Sequence, residues 1–181
     1  MGAQLTPNRR YQVFISATYK DMTDERREAV DTIRRTHNIP VDMEQFPSGN
    51  RRSWDIIKQW IDESDIYLLI LGGRYGTVNP DTGKSYTHME FEYAIQTKKP
   101  MILCVITQEY LDEKVERQGK SVKEIDNLRK YYEFLELVRE NECDFYSSLE
   151  TLGRDIACGI QNAIRENNLL GWERNSKAQH T

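Results

Sequence analysis

Ser85-Tyr86-Thr87-His88-Met89-Glu90 opens a segment of helical spacing that continues through Ala94. A strand-like run, Asp65 to Leu71, and a loop, Gly72-Gly73-Arg74-Tyr75-Gly76, precede it. A carboxylate just beyond the C-terminal end of a buried strand sits where open α/β sheets hold ligands. One carboxylate is a short catalytic set. An ordinary glycosidase needs two, because the leaving alcohol must be protonated. Nicotinamide leaving from NAD is different, since it departs from a pyridinium and becomes neutral without gaining a proton. One carboxylate then suffices, either by stabilising an oxocarbenium-like transition state or by attacking the anomeric carbon. A helix N-terminus favours the ionised form that this role requires. Glu92 lies two residues on and faces elsewhere on the helix. With no obvious partner acid, alkyl glycosides are disfavoured, while an NAD-like substrate remains open.

A plainer role competes for the same side chain. Thr87-x-x-Glu90 has the spacing of a capping box, with Thr87 as N-cap and Glu90 reaching back to its amide. A carboxylate folded back in that way cannot face a ligand. Gly72-Gly73-Arg74-Tyr75-Gly76 has a similar ambiguity. Its amides and Arg74 suit a phosphate, yet a glycine turn closing a strand reads the same. Tyr75 and Tyr86 suit stacking on a base or a nicotinamide ring, or plain packing.

The elements that must position these residues alternate. Tyr11 to Ser16 is a first strand, and Asp24 to Arg35 is a helix with Ala29, Val30 and Ile33 as its stripe. Ile39 to Glu44 is a second strand, followed by a loop at Phe46-Pro47-Ser48-Gly49-Asn50. Ser53 to Glu63 is a helix carrying Trp54, Ile57, Trp60 and Ile61, with both tryptophans read as core. Asp65 to Leu71, apolar after its first residue, reads as a central parallel strand covered on both faces. A turn at Asn79-Pro80-Asp81-Thr82-Gly83 precedes the third helix, Thr87 to Thr97. Pro100 to Ile106 is the fourth strand. Asp112 to Glu140 is charged and mostly helical, with Ile125, Leu128, Tyr132, Leu135 and Val138 at helical spacing. Cys143 to Tyr146 is a short fifth strand, and Ser148 to Glu166 is the last helix.

This alternation predicts an α/β fold with a five-stranded parallel sheet, flavodoxin-like in the order 2-1-3-4-5, with helices on both faces. The sheet then switches direction between strands 1 and 3, so the loops Ser16 to Thr23 and Gly72 to Ser85 flank a crevice. One domain is expected at residues 10–170, after an N-terminal extension at 1–9 and before a polar tail or linker at 171–181.

Bulk properties narrow the classes. The 181 residues are 38% hydrophobic and 30% charged, with net charge −4 and pI about 5.5. An acidic balance disfavours nucleic acid as a partner. No apolar run is long enough to cross a bilayer, and Met1 to Arg10 holds no apolar signal segment. Cys104, Cys143 and Cys158 are few and far apart, which predicts a reduced, cytoplasmic protein with no metal site.

These residues carry a family likeness. Tyr11 to Ser16 resembles the opening strand of TIR (Toll/interleukin-1 receptor-like) domains. Val41 to Glu44 with Phe46-Pro47-Ser48-Gly49 resembles their second strand and the following BB loop. Ser85 to Glu90 with Ala94 resembles the segment that holds the catalytic glutamate of NAD-cleaving TIR domains, and Tyr86 stands where an aromatic, often Trp, belongs. More closely, Tyr11 to Arg27, Asp62 to Tyr75 and Ser85 to Pro100 resemble a TIR-like family once filed as a domain of unknown function. Its members commonly form the N-terminal part of bacterial proteins with nucleotide-binding oligomerisation or repeat regions.

The resemblance implies that Glu90 is catalytic. It implies that Ser16, Ala17, Thr18 and Tyr19 line a nucleotide site, that Phe46 to Gly49 form a mobile loop, and that Tyr86 lies beside the nicotinamide ribose. With Gly73, Arg74 and Tyr75 these make the expected substrate contacts. NAD is then a substrate, no cofactor is needed, and the partners are further copies, other TIR-like domains or a fused sensor. The expected role is cleavage of the nicotinamide–ribose bond in bacterial anti-phage defence. Two alternatives stay open: a non-catalytic assembly module, and an enzyme similar to nucleoside deoxyribosyltransferases. The loop Asn79 to Lys84 and the helical insertion Asp112 to Glu140 depart from TIR domains, as does Tyr86-Thr87 where Trp-Cys is usual.

Overall fold

The computed structural model describes residues 9–42 and 54–173. Its centre is a parallel sheet of five strands: β2 (Gln12–Ser16), β3 (Ile39–Asp42), β4 (Ile66–Leu71), β5 (Met101–Ile106) and β6 (Asp144–Tyr146). They lie in the order β3-β2-β4-β5-β6, the flavodoxin-like order expected. Helices connect them: α1 (Thr23–Arg35), α2 (Trp54–Glu63), α3 (Tyr86–Gln96), α4 (Gln108–Gln118), α5 (Leu128–Arg139) and α6 (Leu149–Glu166).

Strand β4 explains why the sheet is covered on both sides. All six of its residues are buried. Successive side chains point to opposite faces. Ile66, Leu68 and Ile70 join a core with Ala29 and Ile33 of α1 and Leu152, Ile156 and Ile160 of α6. Tyr67, Leu69 and Leu71 join a second core with Ile57 and Ile61 of α2, Phe91 and Ala94 of α3, and Phe134 and Val138 of α5. Burial of each such side chain contributes about 1.5–3 kcal/mol relative to exposure. Trp54 and Trp60 are half-buried at the rim of the second core.

The element ends follow local chemistry. Thr107 caps α4, accepting from the Tyr110 amide, and Ser148 forms a capping box with Thr151 on α6. The insertion is not one long helix. Gly119, at φ +86°, ends α4, and a 3₁₀ turn at Lys120–Val122 follows before α5. The expected stripe holds at its C-terminal end, with Leu135 and Val138, and fails before it. Ile125, Leu128 and Tyr132 are exposed, whereas Tyr131, Phe134, Leu135 and Val138 face inward.

Two short segments pair outside the main sheet. β1 (Arg9–Arg10) pairs antiparallel with β7 (Trp172–Glu173). Gly171, at φ +60°, turns the chain into β7 and donates its amide to Asp65 Oδ1. Asp65 Oδ2 accepts from the Gln12 amide, so one carboxylate ties this ladder to the main sheet. Among the described residues, no helix is long and apolar enough to cross a membrane, and no three potential metal ligands gather.

Candidate functional site

The turn before α3 sets the position of Glu90. Asn79 accepts the Gly83 amide through its carbonyl and the Asp81 amide through its side chain. The loop closes through an antiparallel bridge between Val78 and Ser85. Ser85, not Thr87, is the N-cap of α3, and its hydroxyl accepts from the His88 amide at 3.2 Å. Ser85 meets the requirement two residues before the predicted cap. Glu90 is thereby carried past the first turn and is released from capping.

Its carboxylate turns toward the sheet. Ser16, the last residue of β2, donates its hydroxyl to Glu90 Oε2 at 2.5 Å. Among the described residues nothing donates a hydrogen bond to Oε1, and Glu90 lines a cavity of about 530 Å³. The cavity lies at the C-terminal end of β2, at the switch point between β2 and β4. Burial raises the pKa of Glu90 to about 7, against the lowering effects of the Ser16 hydroxyl and the Arg26 charge. The helix-start position was expected to favour the ionised form, but desolvation outweighs it here. Near neutrality the group is poised between acid and carboxylate.

The cavity gathers Ala17, Thr18, Tyr19, Arg74 and Tyr86 around Glu90, all expected at the site. Tyr19 is mostly exposed and Tyr86 half-buried, so each offers a ring face at the rim. Ser16 lies one layer deeper and reaches Glu90 rather than the cavity wall. Gly73 and Tyr75 are directed elsewhere. A Cβ on Gly73 would come within 2.6 Å of both Leu111 Cδ1 and the Val122 carbonyl oxygen, so the insertion packs against it. The Tyr75 amide is taken by Glu124 Oε2 at 2.8 Å, and its hydroxyl pairs with His88 Nδ1 at 2.9 Å in the second core. Neither of these two residues lines the cavity. Arg74 remains at the cavity, steadied through Nη1 by the Ser121 carbonyl at 2.9 Å. Glu92 does not line the cavity and pairs with Lys84 at 2.6 Å. Phe46 and its loop lie outside the described residues.

The cavity also holds residues that sequence reasoning passed over. Asp21 lines it and is 5% exposed, with no hydrogen-bond partner at Oδ2 among the described residues. Burial raises the Asp21 pKa, opposed by nearby Thr18, Lys114 and Arg74. The cavity therefore has a second carboxyl group, contrary to the expectation of one. The signal was present: Asp21 falls in the loop after the first strand, which the fold order places at the crevice. Arg26 of α1 braces that loop, donating to the Ala17 carbonyl at 2.7 Å and pairing with Asp42 on β3. Lys114 of α4 does the same from behind. Its Nζ reaches the Asp21 carbonyl at 2.7 Å and Glu25 Oε1 at 2.5 Å.

A profile described as "Domain of unknown function (DUF4062)" matches residues 12–161. The chain belongs to this family. The DUF4062 match takes in the whole five-stranded sheet, from β2 to β6, and all of α1 to α5. Glu90, Ser16, Asp21 and Arg74 thus all lie within the DUF4062 segment. No curated protein matches the sequence.

Proposed function

We propose that this DUF4062 domain is a TIR-like enzyme that cleaves NAD, or a related nucleotide, at the nicotinamide–ribose bond. The observation that carries the reading is the Glu90 carboxylate, which lines the cavity, is held by Ser16 at Oε2, and has no donor to Oε1 among the described residues. In the reaction, the C1′–N bond breaks and its electron pair passes to the ring nitrogen. Neutral nicotinamide leaves, and the Glu90 carboxylate stabilises or captures the positive ribosyl carbon. Water then adds at C1′ and gives up a proton, or a hydroxyl of the substrate closes the ring. Ala17, Thr18, Tyr19 and Tyr86 wall the substrate, while Arg74 and Lys20 favour its diphosphate. The family likeness supports a role in bacterial anti-phage defence, with self-association completing the site.

Incubation with NAD at high protein concentration should release nicotinamide, and Glu90→Gln should lower the rate by at least about 100-fold. Equal rates for the two proteins would remove Glu90 from the mechanism. Two observations favour other readings. Ile125, Tyr132 and Phe145 are exposed apolar side chains on and near α5 and suit a non-catalytic assembly surface. Assembly without turnover of any nucleotide would select that reading. Asp21 gives the cavity a second acid, as a deoxyribosyltransferase-like enzyme would need to protonate a departing base. Sugar transfer between free bases would identify that reading.

A further inference from the structure

We infer that Ser16 is a positioning residue for Glu90: its hydroxyl, with the Tyr67 ring packed behind it, anchors one carboxylate oxygen so that the other is left for the cavity. The inference rests on the reading that Glu90 is the working carboxylate. The family likeness placed Ser16 among the substrate contacts. Its position gives it a different task.

Ser16 is 1% exposed and does not reach the cavity wall. A serine hydroxyl has a single proton to give, and this one goes to Glu90 Oε2 at 2.5 Å. The strand register places Tyr67 near this bond. Ser16 pairs with Leu69 of β4, two residues beyond Tyr67 on the same face. Tyr67 is fully buried and stacks on Phe14 with ring centres 6.0 Å apart, yet its hydroxyl has no hydrogen-bond partner among the described residues. Buried polar groups are rarely left in that state. Burial, followed by the Glu90 charge, pushes the Tyr67 pKa well up, while Ser16 acts in the opposite direction. Tyr67 therefore stays protonated, a neutral donor beneath a carboxylate.

The geometry separates the two oxygens of Glu90. One is held from below by a hydroxyl that has no other use, and the other is left for a ligand. The remaining charged and titratable groups around Glu90 are Arg26 of α1 with its partner Asp42 of β3, and Lys20, Asp21 and Arg74 across the cavity. None of these donates to Oε2, so removing the Ser16 hydroxyl leaves the carboxylate buried and unanchored.

The test is to follow the Glu90 carboxyl carbon by NMR in glutamate-labelled protein, with Glu90→Gln identifying the signal. In Ser16→Ala the titration should move to higher pH by about one unit, because a hydrogen bond to the charged form is lost. Tyr67→Phe should move it in the same direction by less, and Ser16→Thr should restore the wild-type midpoint. An unchanged midpoint in Ser16→Ala overturns the inference. If Ser16→Ala does not fold, Ser16→Cys replaces it under the same criterion, since a thiol is a weaker donor. Nicotinamide release is read in parallel. Its acid limb should shift with the NMR midpoint, with kcat lowered and KM little changed. A shifted midpoint in a protein that never releases nicotinamide would sink the NAD reading and leave the anchoring intact.

Discussion

Two glutamates, each 6% exposed, flank the loop that follows β4, and their surroundings drive them in opposite directions. Glu90 accepts one hydroxyl and faces a cavity, and burial raises its pKa to about 7. Glu124 is also penalised by burial, but amides from Tyr75 and Asn127 and the charge of Arg74 more than compensate, and its pKa is lowered. Similar exposure thus yields a strained group in one place and a settled one in the other. Donor count decides between them. Glu124 holds the insertion against the glycine loop, and Tyr131 adds a bond from its hydroxyl to the Gly72 carbonyl at 2.9 Å. Glu90 keeps an unused oxygen. A buried acid that stabilises the fold and one reserved for a ligand are told apart by what is left unsatisfied.

The strongest way to break this contrast is to remove the brace that spans both regions. Lys114→Ala strips Glu25 of its buried partner and frees the Asp21 carbonyl, and should cost about 4 kcal/mol in urea unfolding. A loss below about 1 kcal/mol would mean that the cavity loop does not depend on the insertion.

Next in size is the pH dependence of Glu90. Its folded pKa lies above the ordinary 4.5, so the folded state binds more protons between those values. Stability should therefore fall as pH rises from about 4.5 to about 7, by about 3 kcal/mol from this group. Urea midpoints of wild type and Glu90→Gln, compared at pH 5 and pH 8, should diverge in favour of the variant at the higher pH. Parallel curves would show that Glu90 is not strained. Glu124 has the opposite sign. Its contribution is present above the ordinary carboxylate pKa and is lost as pH falls through its lowered value.

Glu124→Ala leaves the Tyr75 amide without its buried acceptor and should cost about 2 kcal/mol, with the largest gain in hydrogen exchange at Tyr75 and Asn127. Tyr131→Phe removes one buried hydroxyl bond and should cost about 1 kcal/mol by thermal unfolding. If Tyr131→Phe proved costlier than Glu124→Ala, the loop would be held chiefly from α5 and the contrast would need redrawing.

The sheet was legible because its signals are local. β4 and β5 are unbroken apolar runs between helices of ordinary period, and their order follows from crossover rules. The site was legible only in part. Glu90, Thr18, Tyr19, Arg74 and Tyr86 converge because each sits on an element end at the switch point. The misplacement of Gly73 and Tyr75 has a distant cause, since Leu111 of α4 and Val122 and Glu124 of the insertion pack there, and no nearby spacing encodes that docking. The first part of the insertion's stripe was misread because Gly119 ends α4 and resets the helical phase before Leu128, whereas Leu135 and Val138 were read correctly. The capping error arose because Ser85, two residues before Thr87, takes the extended backbone of an N-cap and accepts the His88 amide. The β1–β7 ladder is too short to have a period at all.

That ladder has a mechanical consequence. Arg9 faces Glu173, Arg10 faces Trp172, and Asp65 fastens both neighbouring segments to the start of β4. Tension applied to Arg9 and Glu173 in opposite directions would open the ladder one pair at a time, like a zip fastener, and would then meet Asp65 as a stop. The load would reach β2 and β4 at the end of the sheet far from the cavity. The load thus enters the strands that carry Ser16 and Tyr67 at their N-terminal ends, away from the end of β2 that meets the cavity.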